Sequence, residues 1–285
     1  MKHPNDVRSV SRLVTKGSGS NFYYAFLFLP KPKREAIYAV YAFCRLSDDL
    51  VDEAKAGGDP SAALRRWRRE LDAYFQDSVG HPVIVALGQA ARRFNIPRTY
   101  FEELLNGMEM DLTRTRYATF DELYSYCYRV ASVVGLICIE IFGYTNPRTK
   151  EYAERLGIAF QLTNILRDLA ADASRGRIYL PLDDLKRFGY PEDALLAGVY
   201  NEAFVELMQF QCKRAKEYYG AASATMPRED RPSLLAAEIM HAIYRRLLLK
   251  IEQQRYNVFR ANIALPRPHK LLLAAGLWLR STLAV

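Results

Sequence analysis

Apolar residues recur at three- and four-residue steps through almost the whole chain, and that period is what most restricts its fold. Ile37, Val40, Tyr41 and Cys44 form one such stripe, the mark of a helix with one buried face. Runs of strand-type alternation are missing from the sequence. The pattern breaks at "AKAGGDPSAA", "VGHP", "NIPRT", "GYTNPRT", "RFGYPED" and "TMPREDRP", where Gly, Pro, Asn and Asp supply turn chemistry. Roughly eight to ten helices fit between the breaks, and no long linker or fixed repeat divides them. The expectation is a single all-α domain over residues 1–285, with residues 1–17 its least anchored part.

Bulk properties narrow the function classes. Half of the 285 residues are apolar and a quarter charged, the balance of a chain with a sizeable core. Lys and Arg outnumber Asp and Glu by 40 to 32, a formal charge of +8, which suits anionic lipid or phosphorylated small molecules. No nucleic-acid module accompanies that charge, so no nucleic-acid partner is expected. The basic tract "LRRWRRELDAYF" from Leu64 has the spacing of a solvated helix face. Cys44, Cys127, Cys138 and Cys212 show no metal-ligand spacing and lie in apolar segments, which points to reduced packing residues and a cytoplasmic setting. The N-terminus lacks an apolar signal core. The longest membrane-span candidate, "LLLAAGLWL" between Lys270 and Arg280, has nine residues, against about 20 needed to span.

Two helical segments carry carboxylates where a core helix should not. Asp48 and Asp52 in "YAFCRLSDDLVDE" are four residues apart, and so are Asp168 and Asp172 in "QLTNILRDLAADASRGRIYLP". At that spacing each pair projects from one helix face. Gln161 and Asn164 continue the second pair into a polar stripe, and Arg45 lies three residues before Asp48. Like charges at this spacing cost an isolated helix about 0.2–0.5 kcal/mol, and burial without a cation costs far more. Either the pairs are solvated surface carboxylates or a cation answers them. Mg²⁺ binds through one or two carboxylates plus substrate phosphates. Two such clusters facing each other across a helical bundle would hold a metal-bridged diphosphate over an apolar pocket.

The residues match a known family. "DDLVD" and "DLAAD", the latter inside "QLTNILRD…RGRIYLP", with "YAVYAFCR" and "YCYRVASVVG", resemble the squalene/phytoene synthases. The likeness runs from about Ser18 to Tyr256. Within the family, "GSGSNFYYAFLFLPKPKREAIYAVYAFCR" and "RVASVVGLICIEIFGY" look most like the presqualene diphosphate synthases of bacterial hopanoid pathways. The resemblance implies an all-α isoprenoid-synthase bundle around a central apolar cavity. It implies a Mg²⁺-dependent farnesyl transferase, with Mn²⁺ able to substitute, that condenses two farnesyl diphosphates head to head. No NADPH is expected for that step. Phytoene, dehydrosqualene or complete squalene synthesis are the alternatives within the family, and a prenyl-lipid binding protein is the alternative outside catalysis.

The resemblance also assigns roles. Asp48, Asp52, Asp168 and Asp172 carry over as metal–diphosphate ligands. Arg45 would contact diphosphate or pair with Asp48; Gln161 and Asn164 would order phosphate, water or metal, or be satisfied amides. Arg167 would act on substrate or pair with an aspartate, while Tyr41 and Tyr126 would line the cavity or simply pack. The Gly/Ser loop with Ser18 and Ser20, followed by Phe22, would meet phosphate, although "SGSNF" displaces the serines by one position from the family pattern. Downstream squalene-pathway enzymes are the implied partners. Residues 265–285 combine Arg267, His269, Lys270 and Arg280 with an apolar stretch containing Trp278. They fit a last core helix or peripheral contact with the inner face of the cell membrane.

Overall fold

The computed structural model describes residues 21–53, 59–76, 80–260 and 262–283, with side chains throughout except at 22 and 50–53. All regular secondary structure among the described residues is helical, and no strand occurs among them. In order the helices are α1 (Asn21–Phe26), α2 (Lys31–Glu53), α3 (Pro60–Phe75), α4 (Pro82–Phe94), α5 (Arg98–Thr113), α6 (Phe120–Cys127), α7 (Val133–Phe142), α8 (Thr149–Ser174), α9 (Leu182–Arg187), α10 (Glu192–Leu196), α11 (Glu202–Thr225), α12 (Leu235–Gln253) and α13 (Arg267–Leu283). The predicted loops fall between them. The extra elements beyond the expected number are chiefly the short α9 and α10.

Local chemistry starts and stops these helices. Asp59 accepts from the Ala62 amide at 3.0 Å ahead of Pro60, and Asn201 accepts from Phe204 at 2.9 Å, satisfying donors that a helix start leaves open. Thr119 caps α6, while Glu122 reaches back to the Ala118 amide at 2.9 Å. At the other end of that run, Lys33 donates to the Phe142 carbonyl at 2.6 Å, placing a cation on the negative end of α7.

One contiguous apolar core joins the elements. Phe43 of α2 stacks on Trp67 of α3 with ring centroids 5.9 Å apart. The Trp67 indole donates to the Ser47 hydroxyl at 3.0 Å, and that hydroxyl donates to the Phe43 carbonyl at 2.8 Å. That buried polar pair costs little because every donor finds an acceptor.

The run from Phe120 to Phe142 corrects one sequence expectation. By length and composition alone this 23-residue run could cross a membrane, although the sequence pointed only to the nine residues near the C-terminus. Here it threads the core, with Leu123, Val133, Ile137 and Ile141 fully buried. It is also not one regular helix. Tyr128–Ser132 widens into a π turn between α6 and α7, a feature that re-aims the residues on either side of it. Against this turn α8 comes very close: a Cβ at Gly157 would stand 2.5 Å from the Ser132 Cα, and one at Gly135 would stand 2.9 Å from the Ala153 carbonyl oxygen. Glycine at both positions lets α8 lie against the π turn and α7, and these elements form one wall of the central cavity.

Candidate active site

Helices α2, α7, α8 and α12 enclose a cavity of about 420 Å³. Along α2 its lining runs from Ile37 through Val40, Tyr41 and Cys44 to Arg45 and Asp48, the stripe read from the sequence. On α8 it runs from Ala153 through Gly157 and Phe160 to Gln161, Asn164 and Arg167. Both helices are therefore apolar at one end of the cavity and polar at the other. Phe26 and Phe142, with ring centroids 6.5 Å apart, lie at the apolar end.

The polar end gathers six of the expected residues: Tyr41, Arg45, Asp48, Gln161, Asn164 and Arg167. Asn164 donates to Gln161 Oε1 at 3.3 Å, so the two amides orient each other. Its own Oδ1 is buried and finds no hydrogen-bond partner, which is costly unless a ligand supplies one. Arg45 pairs with Asp49 at 2.9 Å. The sequence had offered diphosphate contact or an Asp48 pair for Arg45; the i,i+3 and i,i+4 spacings are both allowed on a helix face. Asp48 stays on the cavity wall.

Arg167 forms a two-point ion pair with Asp168, Nε to Oδ1 at 2.8 Å and Nη2 to Oδ2 at 2.5 Å, the strong fork geometry of guanidinium and carboxylate. This is the pairing anticipated as an alternative for Arg167. The two residues also line a second, polar cavity of about 360 Å³ with Asn21, Lys270 and residues 262–265. Lys270 is buried there, its pKa lowered by burial and then by the Arg167 and Arg267 charges.

Asp172 lies one turn beyond Asp168. Burial, then the Asp168 charge, pushes its carboxyl up to about 6, with Arg175 and Arg177 pulling the other way. A carboxylate that its neighbours discourage from ionising is poised for a cation. Asp52 lies on α2, but its side chain and that of Phe22 fall outside the described part; Ser18 and Ser20 lie outside the described residues altogether.

Of the two readings of Tyr126, cavity lining and packing, the structure takes the second: it is buried outside the cavity lining, donating to Asp111 Oδ2 at 2.9 Å, while Tyr179 donates to Asp111 Oδ1 at 2.8 Å. The Tyr126 and Tyr179 rings stack at 5.3 Å. Asp111 in turn acts on Asp172 electrostatically, so Tyr126 bears on the aspartates through Asp111. Two residues escaped the sequence reading. Asp111 lies in the last turn of α5, two residues after Glu109, and Tyr244 of α12 lines the cavity with its hydroxyl beside Asn164, Asn21 and Arg167. Neither carried a distinguishing sequence signal, since charged neighbours such as Glu109, Arg245 and Arg246 surround them.

Among the described residues no three His, Cys, Asp or Glu side chains converge into a ready metal cage. The donor set nevertheless fits Mg²⁺, which keeps several waters and takes one or two carboxylates with substrate phosphates. The orphaned Asn164 oxygen and the Asp168–Asp172 repulsion are the observations that favour it.

An all-helical bundle with cationic and acidic groups over a deep apolar cavity defines an isoprenoid-synthase fold. The squalene/phytoene synthase family model matches residues 15–269, and the chain belongs to that family, whose members are prenyl-transferring enzymes of isoprenoid biosynthesis. It is 39% identical to the phytoene synthase of Arthrospira platensis over 284 residues, covering 94% of this chain and 91% of that one. Among solved structures it resembles a dehydrosqualene synthase crystallised with a ligand, at a TM-score of 0.83 and 31% identity over 96% of this chain and 97% of that one. It also resembles the squalene synthase HpnC from Alicyclobacillus acidocaldarius, at a TM-score of 0.79 and 29% identity over 88% and 95% of the two chains.

Proposed function

We propose that the protein condenses two farnesyl diphosphates head to head into presqualene diphosphate, releasing one diphosphate and one proton. The observation that carries the reading is the polarity of the cavity. Arginine, carboxylate and amide side chains suited to diphosphate stand at one end, and an apolar stretch that includes the Phe26 and Phe142 rings stands at the other. Ile37 and Asp48 are eleven residues apart on α2, so the lined depth is about 16 Å at 1.5 Å per residue. That depth supports an isoprenoid tail laid along α2 and α8.

The residues present support each step. Asp48, Asp168, Asp172 and Asn164 would hold Mg²⁺ or Mn²⁺, with Asp52 completing the first pair. When bound there, the metal neutralises the charge of a departing diphosphate. Arg45 and Arg167 supply donors to phosphate oxygens. One substrate loses its diphosphate from C1, and the 2,3 double bond of the second attacks the allylic carbon. Loss of a proton then closes the cyclopropane ring, and the second diphosphate stays on the product. Val130, Val134, Leu156 and Met240 keep the cation from water, while the faces of Tyr41, Phe160 and Tyr244 stabilise its charge.

The sequence likeness to presqualene diphosphate synthases supports stopping at that product. A second reading, condensation of two geranylgeranyl diphosphates, is favoured by relatives named phytoene synthase. Purified protein given farnesyl or geranylgeranyl diphosphate with Mg²⁺, without NADPH, separates the two by mass spectrometry of intact and dephosphorylated products. Presqualene diphosphate, persisting when NADPH is added, is the expected result; phytoene, dehydrosqualene or squalene would overturn it.

A further inference from the structure

Helix α13 is apolar on the side facing away from the protein as well as on the side facing in. Inward it sets Leu273, Ala274 and Leu277 against the core and buries Lys270 by the Tyr24 ring, 5.6 Å from its centre. Outward it shows Leu271, Leu272, Leu279 and Leu283, which are 45, 73, 51 and 85% exposed, and Trp278 at 39%. Leu272, Leu279 and Leu283 fall at steps of seven and four and share one face. Leu271 and Trp278, also seven apart, run beside them, and Phe28 of the body stacks on Trp278 at 5.5 Å. Single exposed leucines are ordinary; a stripe running the length of a 17-residue helix marks an interaction surface.

The charge beside the stripe has one sign. From Arg255 to Val285 the sequence holds five Lys or Arg and no Asp or Glu. A groove of about 840 Å³ joins α11, α12 and α13, and Arg245, Arg246, Leu249, Leu272, Leu277 and Arg280 line it. The acid on its wall, Glu252, is already held by Lys216 at 2.5 Å. Arg245 and Arg246 stand exposed on α12 beside Leu249, itself 40% exposed.

This combination selects among partners. A second copy would bring the same arginines against these, a like-charge contact that an isologous interface must overcome. A nucleic acid would leave the leucines unexplained. An anionic bilayer answers both, since acyl chains accept the leucines and headgroup phosphates accept the arginines. We infer that the outer face of α13, flanked by Arg245, Arg246 and Arg280, is a docking surface for an anionic lipid bilayer. The first turn of the same helix carries Lys270 into the polar cavity beside Arg167 and Asp168. One helix therefore links the docked face to the polar end of the site. Nothing in this inference depends on which prenyl product is made.

The test is co-sedimentation of the full chain with vesicles of phosphatidylcholine alone, or with about one third phosphatidylglycerol, at low and high salt. Wild type should sediment with the anionic vesicles, less so at high salt, and hardly with neutral ones. Arg245→Gln/Arg246→Gln should weaken the apparent affinity roughly 30-fold, from about 1 kcal/mol per arginine near an anionic surface at tenfold per 1.4 kcal/mol. Leu272→Glu/Leu279→Glu should abolish binding while turnover in vesicle-free solution stays at the wild-type level, which shows that the variant is folded. Equal binding to neutral vesicles, no binding to either kind, or variants that bind like wild type would overturn the inference. A dimer in solution that Leu272→Glu/Leu279→Glu converts to monomer, without vesicle binding by wild type, would assign the face to self-association instead.

Discussion

Replacing Gly157 with alanine tests whether the close approach of α8 to the π turn builds the cavity wall. In an unconstrained helix the change stabilises by about 1 kcal/mol, because glycine is the poorer helix former. Here the new methyl would meet the Ser132 Cα at 2.5 Å, the Ser132 N at 2.7 Å and the Ala131 carbonyl carbon at 2.9 Å. All three are backbone atoms, so no rotamer change relieves the clash and α8 must move. Overpacking of this kind costs about 1–3 kcal/mol, and an all-backbone clash belongs at the upper end. The net expectation is a loss of about 2 kcal/mol, or about 4–8 °C in Tm for a chain near this size. Gly220→Ala is the matched control: it also lies within a helix, α11, and its Cβ would meet nothing within 4 Å. It should raise Tm by about 2–4 °C. Gly157 also sits one turn before Gln161, so kcat/KM should fall with Gly157→Ala and hold with Gly220→Ala. Thermal unfolding and steady-state diphosphate release measure both. A Gly157→Ala variant as stable and active as Gly220→Ala would refute the argument.

Other predictions follow from the polar groups. Asp172 has its pKa raised from 3.8 to about 6, so its neutral form stabilises the fold at low pH and that contribution is lost as pH rises from about 4 to 6. Without metal, Asp172→Asn should therefore be more stable than wild type at pH 7.5, by about 2–3 kcal/mol. Thermal melts in chelator should show the gap closing near pH 4, although the variant loses divalent-ion binding. Asp230 accepts from the Thr145 amide and hydroxyl at 2.7 and 2.8 Å, the Asn146 amide at 3.0 Å and the Thr149 hydroxyl at 2.6 Å. Burial raises its pKa, but these hydrogen bonds outweigh burial and hold it at about 2. Asp230→Ala should cost at least about 3 kcal/mol by denaturant titration. The stability that Asp230 contributes should be present above about pH 4 and fade toward pH 2, and Asp230→Asn should flatten that limb. Tyr126→Phe removes one of the two tyrosine donors to Asp111 and should cost about 1.5–3 kcal/mol in the same assay; a neutral result would remove Tyr126 from the Asp111 network.

What the sequence revealed and what it hid divide along physical lines. The helices and the Ile37–Val40–Tyr41–Cys44 stripe were legible because a 3.6-residue period is a local property, and the cavity wall follows that stripe. The i,i+4 aspartates and the Gln161–Asn164 amides were legible for the same reason. The π turn was not. "YCYRVASVVG" has the composition of a regular helix, and what accompanies its widening is contact with Gly157, far along the chain. Tyr126, just before that turn, takes the packing alternative, against Asp111 and outside the cavity lining. Asp111 and Tyr244 were missed because each is one polar residue among several on an amphipathic helix, and only the packing of α5 and α12 gives them partners. The Arg45–Asp49 pair lies below sequence resolution, since Asp48 and Asp49 are both within i,i+3 or i,i+4 reach of Arg45.

In the proposed function α2 and α8 present their carboxylates and amides jointly to a metal-bridged diphosphate. Mn²⁺ electron paramagnetic resonance, titrating the full chain with and without a non-ionising farnesyl thiodiphosphate, tests it most directly. Weak Mn²⁺ binding alone and tight binding with the analogue are expected, the latter lost in Asp48→Ala and in Asp168→Ala, on opposite helices. Tight binding that survives either substitution, or that ignores the analogue, would contradict it.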